Sequence, residues 1–340
     1  MPNNSTIFVT GGTGFLGRHL VSALCRARQP VRLLTRHPQD HSWLSHYPNV
    51  EVVPGDLTMP ETYIHALKGC RRVIHAGGVF RMWGDEQTFL DNNVQGTALL
   101  LSAVQNLAIE RFVYVSTIAV LGNPDPDQVL DETYPPNPMD PYQRSKLIAE
   151  RMVLRCWEEE ALPVVVLRPG AFYGPMGHYG FNRLFFKDPM RGLMMQVDSG
   201  RYIIFPAYIS DVVQGIMKAL ECGRVGEIYN ICGEWISHKR AFDIICDEAG
   251  LWWPRVPMPG WLDLPVAQVL EIVSDMIGVE PFWPMNMLRS YVHNNWRVSS
   301  AKATAELGFV PTDFREGARQ TIAWYRANTP DDWVGLGCDA

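Results

Sequence analysis

A glycine-rich turn between an apolar strand and a helical segment constrains this chain more than any other feature of its sequence. A short apolar strand precedes the turn Thr10–Gly17, and apolar positions recur with helical spacing over residues 15–28. Gly11 permits a tight turn, Gly14 lets the backbone approach a pyrophosphate, and Gly17 lets the helix pack closely on the strand. The helix N-terminus offers unpaired N–H groups to phosphates. This context favours a dinucleotide site over an ordinary tight turn.

Strand-like and helix-like patterns alternate through the first half of the chain. Apolar runs rich in β-branched residues are separated by periodic stretches such as residues 91–108 and 142–159. Alternation of this kind predicts an α/β fold with a doubly wound parallel sheet of the Rossmann type, and a ligand site beyond the carboxyl ends of its strands. The predicted strands cover residues 7–9, 31–34, 50–53, 73–75, 112–116 and 164–167.

The pattern changes after residue 168, which divides the chain into a sheet domain and a smaller lobe. Residues 174–206 lack clean periodicity, whereas residues 207–232 return to a helix and a strand. We therefore predict a NAD(P)-binding Rossmann domain and an interleaved C-terminal substrate-binding lobe. The domain comprises residues 1–173 and 207–232, and the lobe comprises residues 174–206 and 233–335.

Composition narrows the classes of function. The formal net charge is -6 and no sustained basic run is present, which argues against nucleic-acid binding. Seven cysteines without a Cys-x-x-Cys pair argue against a disulfide framework and a zinc site, so no metal is expected. There is no signal-peptide pattern, and no apolar run approaches about 18 residues. We expect a cytoplasmic protein without a transmembrane segment.

Tyr142 and Lys146 form the second informative pattern, because positions i and i+4 of a helix share one face. The pKa of a free tyrosine is about 10. A neighbouring ammonium and an oxidised nicotinamide both favour phenolate, which predicts a lowered pKa for Tyr142. Asp140 and Pro141 predict the cap and the first turn of this helix. Such pairs also occur by chance on solvated surfaces, but after a dinucleotide motif we predict a catalytic pair.

A strand that ends at Ser116 and Thr117 supplies the third element. A hydroxyl at the carboxyl end of a central parallel strand lies at the ligand crevice. We therefore expect Thr117 to hydrogen-bond a substrate oxygen while Tyr142 exchanges a proton with it. The alternative is that Ser116 and Thr117 cap the following turn. Asn93 is expected to organise water or backbone near the site, with helix packing as the alternative.

Together these motifs resemble those of the extended short-chain dehydrogenases/reductases, the NAD-dependent epimerase/dehydratase superfamily, over nearly the whole chain. The pattern is most similar to the branch of the 3β-hydroxysteroid dehydrogenases and dihydroflavonol reductases. The residues that carry the resemblance are Thr10–Gly17, Gly55–Leu57, His75–Gly77, Asn93–Thr97, Val115–Thr117, Tyr142 with Lys146, Leu167–Gly170, Tyr173–Pro175 and Ala305–Pro311.

The resemblance implies roles for individual residues. It makes Thr117, Tyr142 and Lys146 the catalytic trio, and threonine at position 117 keeps the donor and acceptor of the more usual serine. It places Asp56 at the adenine end of the cofactor. Leu121 departs from the tyrosine that many sugar-nucleotide enzymes carry there. The candidate cofactor contacts are Gly11, Gly14, Phe15, Leu16, Gly17, Arg36, Asp56, Leu57, Ala76, Gly77, Asn93, Ser116, Tyr142, Lys146 and Pro169.

The residues that end the second strand bear on the choice of cofactor. An acid there hydrogen-bonds the ribose hydroxyls and repels a 2′-phosphate, whereas an arginine accepts that phosphate. This chain has Thr35 and Arg36 and no acid. We therefore expect NADP as the cofactor. NAD is the alternative, since Arg36 would also stack on the adenine of either cofactor.

Two classes of reaction fit these motifs. The first is hydride transfer between nicotinamide and a secondary alcohol or ketone on a bulky apolar steroid-, terpenoid-, flavonoid- or polyketide-like substrate. The second is a redox-neutral epimerase or dehydratase that retains NAD and acts on a nucleotide-linked sugar. Sugar-nucleotide relatives usually show an Arg-Asp-Phe run, and residues 201–206 lack the acid. A cofactor-binding regulator is disfavoured because Tyr142 and Lys146 are both present.

Residues 251–296 hold five of the eleven tryptophans, which predicts an apolar wall of a ligand pocket. The alternatives are a satellite core or oligomer interface, and peripheral contact with a membrane surface. Phe80, Tyr173 and Tyr179 are the candidate substrate contacts, and no role is predicted for His178. A homodimer is the expected assembly.

Overall fold

A seven-stranded parallel sheet lies at the centre of the molecule. The computed structural model describes residues 5–252 and 254–328. Strands β1–β6 and β11 form the central sheet, and the other strands form three two-stranded sheets. In chain order the strands are β1 (Thr6–Thr10), β2 (Val31–Thr35), β3 (Val50–Pro54), β4 (Cys70–His75), β5 (Arg111–Val115), β6 (Val164–Pro169), β7 (Ala171–Tyr173), β8 (Met195–Val197), β9 (Ile203–Ile204), β10 (Pro206–Tyr208), β11 (Ile228–Ile231), β12 (Ile236–Ser237) and β13 (Val256–Met258).

The central sheet has the order β11-β6-β5-β4-β1-β2-β3, and every neighbouring pair is parallel. The chain starts in the middle of the sheet, runs outwards to β3 and then crosses over to β4 on the other side of β1. The carboxyl ends of β1 and β4 therefore meet at the switch point of the sheet, where ligands bind in folds of this kind. The doubly wound sheet and its six strands predicted from the first half of the sequence are confirmed.

Eleven α-helices are present among the described residues. They are α1 (Phe15–Arg26), α2 (Glu86–Phe89), α3 (Gly96–Val104), α4 (Pro141–Glu160), α5 (Asp188–Met190), α6 (Ile209–Cys222), α7 (His238–Ala249), α8 (Asp263–Ile277), α9 (Met285–Met287), α10 (Ala301–Leu307) and α11 (Phe314–Ala327). A π-helical stretch, Leu90–Gln95, joins α2 to α3, and two more precede α5 and follow α9. None of the described helices is both long and apolar enough to cross a membrane.

Helices cover both faces of the central sheet. On one face α1 and α6 pack against strand residues such as Val9, Val113 and Val165 in one hydrophobic cluster. On the other face α3 and α4 pack against strand residues such as Phe8 and Tyr114. Strands β5 and β6 are buried on both faces. This burial explains why their sequences are nearly continuous runs of valine, leucine and aromatic residues.

The two segments predicted to form the lobe contact each other, since β8 pairs with β13 and β9 pairs with β12. A satellite cluster around Trp283 and Leu288 includes Ala267 of α8. Helices α7 and α11, however, share the main hydrophobic cluster with α1, and α10 contacts α6 and β11. The hydrophobic core is therefore continuous between the sheet and these helices. The division into two domains stays a prediction.

Candidate active site

The glycine turn between β1 and α1 lies against the loop that follows β4. Gly11 has a φ of 72°, and a Cβ at this position would lie 2.6 Å from backbone atoms of Ala76 and Gly77. A Cβ on Gly17 would lie 2.1 Å from the Gly11 carbonyl oxygen. Both positions therefore require glycine, the first because two loops cross there and the second because the start of α1 packs onto the turn.

Gly14 has a more open environment than the other two glycines. Within 4 Å, a Cβ at Gly14 would meet only the Gly11 carbonyl oxygen, at 3.6 Å. Gly14 is the N-cap residue of α1 and provides no side-chain cap. The N–H groups of the first turn are therefore left for another acceptor. A glycine cradle with open space at a helix N-terminus fits the pyrophosphate of a dinucleotide.

A buried histidine joins the elements around this cradle. His75 ends β4, and its Nδ1 lies 2.7 Å from Thr10 Oγ1 while its Nε2 lies 2.9 Å from Thr97 Oγ1. Thr10 Oγ1 also accepts a hydrogen bond from the Gly77 N–H at 3.0 Å. Burial lowers the pKa of His75 to about 3, so the ring is neutral. In the sequence, His75 is recognisable only as part of the motif His75–Gly77, and its positioning role has no local signal.

Two of the predicted catalytic hydroxyls meet at the start of α4. The Asp140 carboxylate caps the helix, which begins at Pro141 as the sequence predicts. Tyr142 lies in the first turn, and its phenol is hydrogen-bonded to the Thr117 hydroxyl. Thr117 Oγ1 also accepts a hydrogen bond from the Ala119 N–H at 3.2 Å. The capping role considered as the alternative for Thr117 is therefore present together with the contact to Tyr142.

The electrostatics of Tyr142 differ from the expectation. Burial raises the pKa of Tyr142 above its ordinary value, and this effect outweighs the hydrogen bond from Thr117, which lowers the pKa. Lys146 donates to the Val115 carbonyl oxygen at 2.7 Å, and its Nζ lies 4.4 Å from the centre of the Tyr114 ring. The predicted lowering of the Tyr142 pKa is wrong for the chain's own residues, because desolvation favours the neutral phenol.

The pKa of Lys146 lies close to neutral pH. Its side chain is buried, and burial lowers its pKa to about 7, against a smaller opposing effect of the Glu150 carboxylate. A lysine in this state gains or loses its proton within the physiological pH range. The site therefore combines a protonated phenol with an amine that titrates near pH 7.

Behind this pair, a buried ion pair ties β5 to α4 and β6. Ser116 Oγ donates to Glu150 Oε2 at 2.6 Å, and Arg168 donates to both Glu150 oxygens at 2.6 and 3.0 Å. Glu150 and Arg168 are almost fully buried. The Ser116 side chain is thus engaged within the protein, and the cofactor contact predicted for this residue is not tested by its hydrogen bonds.

Asn93 organises backbone, as one of the two expectations from the sequence states. Its side chain accepts from the Val79 N–H at 2.7 Å and donates to the Val79 carbonyl oxygen at 3.1 Å. It also donates to Ser145 Oγ of α4 at 2.9 Å. Asn93 therefore connects the π-helical stretch, the loop before Phe80 and the catalytic helix, and acts here as a positioning residue.

Three of the residues predicted to contact the cofactor, Arg36, Asp56 and Leu57, follow strands β2 and β3. Arg36 is exposed directly after β2. Asp56 accepts hydrogen bonds from the N–H and the hydroxyl of Thr58, both at 2.8 Å. Leu57 packs against Gly96, where a Cβ would lie 2.9 Å from the leucine side chain. Pro169 lies buried at the end of β6, and the cofactor contacts of all four residues stay predictions.

Two of the three candidate substrate contacts lie close to Tyr142. The Phe80 ring is 4.8 Å from the Tyr142 ring and 5.8 Å from the Tyr179 ring, edge-on in both cases. The Tyr179 hydroxyl accepts a hydrogen bond from the Met82 N–H at 2.8 Å and donates to Glu280. Phe80 thus contacts the rings of both Tyr142 and Tyr179.

Tyr173 is a core residue, and its predicted role as a substrate contact is wrong. Its side chain is 1% exposed. Its ring packs within 6 Å of four other aromatic rings, those of Phe181, Phe186, Tyr208 and Phe314. Tyr173 is thus enclosed in the hydrophobic cluster that also contains residues of α11.

An apolar cavity that is open to solvent lies in the lobe. Two of its lining residues, Asp188 and His238, are polar, and no lysine or arginine is among them. The apolar lining residues are Leu184, Phe185, Leu193, Met195, Val197, Phe242, Phe282, Trp283, Met287, Leu288 and Val292. Met82 packs against the cluster that contains Trp283 and Met287, and it also lines a smaller cleft with Tyr142. Met82 therefore contacts both the hydrophobic cluster that contributes Trp283 and Met287 to the cavity and the cleft beside Tyr142.

The tryptophans of the 251–296 segment divide between two environments. Trp283 lines the cavity and Trp296 packs in another buried cluster. Trp252 and Trp261 are 85% and 77% exposed, and Trp253 lies outside the described residues. The segment thus supplies a pocket wall and satellite cores, as two of the sequence-based interpretations state.

The same segment also presents apolar surface. Helix α8 buries Ala267 and Ser274 against the molecule but exposes Val269, Ile272 and Met276 on its other side. The homodimer and the membrane contact expected from the sequence stay predictions. The lining residues that precede this segment, His238 among them, were not predicted, because the aromatic and methionine content of residues 174–206 was the only signal in the sequence.

Comparison with known proteins places the chain among NAD-dependent enzymes. Residues 7–232 match the profile of the NAD dependent epimerase/dehydratase family. The chain is 28% identical over 330 residues to a Synechocystis sp. protein with the provisional name dihydroflavonol 4-reductase, over 94% of each chain. It is 32% identical over 225 residues to the 4-hydroxy-2-methyl-3-oxo-4-farnesyl-3,4-dihydroquinoline-1-oxide ketoreductase of Stigmatella aurantiaca, over 65% of this chain and 66% of the relative.

A solved structure supports the fold. The dTDP-glucose 4,6-dehydratase from Bacillus anthracis in complex with NAD superposes with a TM-score of 0.79 at 22% identity, over 98% of this chain and 100% of that chain. The relatives thus include reductases and nucleotide-sugar dehydratases. The chain belongs to the NAD dependent epimerase/dehydratase family and is an enzyme of the extended short-chain dehydrogenase/reductase type.

Proposed function

We propose that this enzyme transfers hydride between a nicotinamide cofactor and a secondary alcohol or ketone on a bulky apolar substrate. The single observation that carries the proposal is the cavity in the lobe, whose lining is apolar except for Asp188 and His238. A lining of this kind suits a hydrophobic ligand. The names of two relatives, a dihydroflavonol 4-reductase and a ketoreductase of a farnesyl-bearing compound, agree with reduction of such a carbonyl.

The redox-neutral alternative, a nucleotide-sugar epimerase or dehydratase with retained NAD, is supported by the dehydratases among the relatives. A nucleotide-linked sugar carries a pyrophosphate, which proteins bind with cations or helix N-termini. No lysine or arginine lines the described cavity, and Asp188 adds negative charge to its wall. The alternative therefore requires a phosphate site elsewhere in the cleft.

The catalytic residues suit carbonyl reduction. The hydroxyls of Thr117 and Tyr142 are hydrogen-bonded to each other and would bind the carbonyl oxygen of the substrate. When bound, the nicotinamide supplies the hydride in reduction and accepts it in oxidation. Tyr142 donates its phenolic proton to the oxygen, and its raised pKa keeps that proton available at neutral pH. Lys146, held by the Val115 carbonyl oxygen, supplies positive charge behind the phenol.

NADP is the cofactor that we propose. Arg36 is exposed at the end of β2, where it would pair with a 2′-phosphate, and Thr35 stands where an acid would repel that phosphate. NAD, which accompanies the solved dehydratase, is the alternative. Both cofactors share the glycine cradle at Gly11 and Gly14.

The first experiment is to denature the purified protein and identify released nucleotide by chromatography. A protein that releases no nucleotide but binds added NADPH would support a reductase that exchanges its cofactor in each turnover. Near-stoichiometric NAD would support the redox-neutral alternative.

The second experiment assays reduction of steroid, flavonoid and terpenoid ketones with NADPH in the wild type and in Tyr142→Phe. We expect turnover of at least one ketone, with a loss of roughly 10²–10⁴-fold in the variant because it lacks the proton donor. Cofactor affinity and melting temperature serve as controls and should change little. Full activity of Tyr142→Phe would contradict the catalytic assignment.

A further inference from the structure

His238 places an unsatisfied polar atom in the wall of the apolar cavity. The residue opens α7 and is 6% exposed. Its Nε2 atom is buried and has no hydrogen-bond partner among the described residues. The ring packs edge-on against Phe185, another lining residue, with 5.4 Å between ring centres. Because a buried polar atom without a partner is costly, a ligand group that reaches Nε2 would gain a hydrogen bond and remove that cost.

The charge of this wall limits the kind of group that it accepts. Burial lowers the pKa of His238 to about 4, with a smaller effect of His293, so the ring is neutral at physiological pH. Asp188, the other polar lining residue, forms an ion pair with Arg183 at 3.3 Å, although its buried Oδ2 atom has no hydrogen bond among the described residues. The wall therefore offers one neutral ring nitrogen and a compensated carboxylate, and it has no free positive charge among its lining residues for an anion.

We propose that His238 anchors a neutral polar group, above all a hydroxyl, at the end of the apolar substrate that lies away from the reacting carbon. This inference rests on the proposed function, because it assigns the cavity to the remainder of the substrate whose carbonyl lies at Tyr142. A hydroxyl both donates and accepts, so it pairs with either tautomer of the neutral ring. His238 is thereby a specificity-determining residue that separates hydroxylated substrates from their hydrocarbon analogues.

The test uses two probes of nearly equal size, 2-naphthol and 2-methylnaphthalene, which differ by a hydroxyl in place of a methyl group. Their dissociation constants are measured by ligand-observed NMR on the full chain, in the wild type, in His238→Leu and in His238→Gln. We expect the wild type to prefer 2-naphthol by about threefold to tenfold, as one neutral hydrogen bond implies. His238→Leu should lose this preference and keep its affinity for 2-methylnaphthalene, whereas His238→Gln should keep part of the preference.

Several results would overturn the proposal. One is a 2-naphthol preference that persists in His238→Leu, and another is a wild type that binds neither probe. Should His238→Leu fail to fold, the ¹⁵N shift of the His238 ring in the wild type decides the matter. A shift that responds to 2-naphthol and not to 2-methylnaphthalene supports the anchor, and equal responses contradict it.

Failure of this anchor is distinguishable from failure of the proposed function. If His238→Leu loses the preference for 2-naphthol but the enzyme turns over no ketone, the binding site at His238 is supported and the reductase is rejected. Ketone turnover that depends on Tyr142, with no effect of His238 on the probes, would keep the reductase and reject the anchor.

Discussion

Two kinds of buried polar group differ in this protein: Glu150 and His75 have hydrogen-bond partners within the protein, whereas His238 in the lobe cavity does not. Near the catalytic helix, Glu150 accepts hydrogen bonds from Ser116 and Arg168, and both ring nitrogens of His75 have hydroxyl partners. In the cavity, the buried Nε2 of His238 has no partner among the described residues, and its surroundings are apolar.

The difference separates structural support from recognition. A buried polar group with partners inside the protein holds elements in place, because breaking its bonds exposes an uncompensated charge or dipole. His238, which has no such partner and lies next to an apolar volume, is where we propose that a ligand supplies one. Helix α4 is thus held by contacts within the protein, whereas the proposed anchor at His238 needs a ligand.

The largest effect is expected for the buried ion pair. Arg168→Met leaves the Glu150 carboxylate buried with Ser116 as its remaining side-chain donor, and should lower the free energy of unfolding by about 3–5 kcal/mol. Urea unfolding measures this loss. The matched control, Arg168→Met combined with Glu150→Gln, should lose less because no charge is left unpaired. A loss below about 1 kcal/mol in the single variant would remove the supporting role of the pair.

The titration of the two buried histidines, His75 and His238, tests this comparison further. The pKa values of His75 and His238 are lowered to about 3 and about 4, from 6.5. Below pH 6.5 the unfolded chain binds more protons than the folded one, so stability falls as the pH falls towards these values. For His75 the loss is about 2–3 kcal/mol by pH 4.5.

Urea unfolding at pH 7 and pH 4.5 measures this loss, and His75→Gln should show a smaller difference between the two pH values. NMR titration assigns the ring that protonates first, which should be His238. Protonation of His75 near pH 6 would contradict its burial between Thr10 and Thr97.

Lys146 should give the active site a pH dependence. Its pKa is lowered to about 7, so its ammonium is lost as the pH rises above 7. If the positive charge supports proton donation by Tyr142, kcat for ketone reduction should fall by roughly tenfold per pH unit above that value. Lys146→Arg keeps its charge at all these pH values and should give a lower but flat profile from pH 7 to 9. A wild-type profile that is equally flat would reject this role.

The smallest effect is expected at the exposed rim of the cofactor site. Arg36→Ala should reduce the ratio of NADP to NAD affinity by about tenfold, as the loss of one solvated charge-assisted contact implies. Fluorescence titration with both cofactors measures the ratio, and the affinity for NAD provides the internal control. An unchanged ratio would remove the argument for NADP from Arg36.

Local features of this protein are predictable from its sequence. The glycine turn, the alternation of strands and helices, and the start of α4 at Asp140 and Pro141 all appear where the sequence predicts them. Each depends on residues within a few positions of one another, through φ angles, capping hydrogen bonds and the spacing of apolar side chains. The pairing of Thr117 with Tyr142 was also accessible, because strand ends of a parallel sheet gather at one edge.

Burial and partners, in contrast, were decided by the tertiary structure. Tyr173 and Tyr179 lie six residues apart with similar local sequence, yet one is a core residue and the other lines the site. The raised pKa of Tyr142, the link of His75 to Thr10 across 65 positions, and the cavity at His238 have no local signature. Desolvation and cavity shape depend on which distant segments pack together, so short-range patterns determined the scaffold and long-range packing determined its electrostatics and the apolar cavity of the lobe.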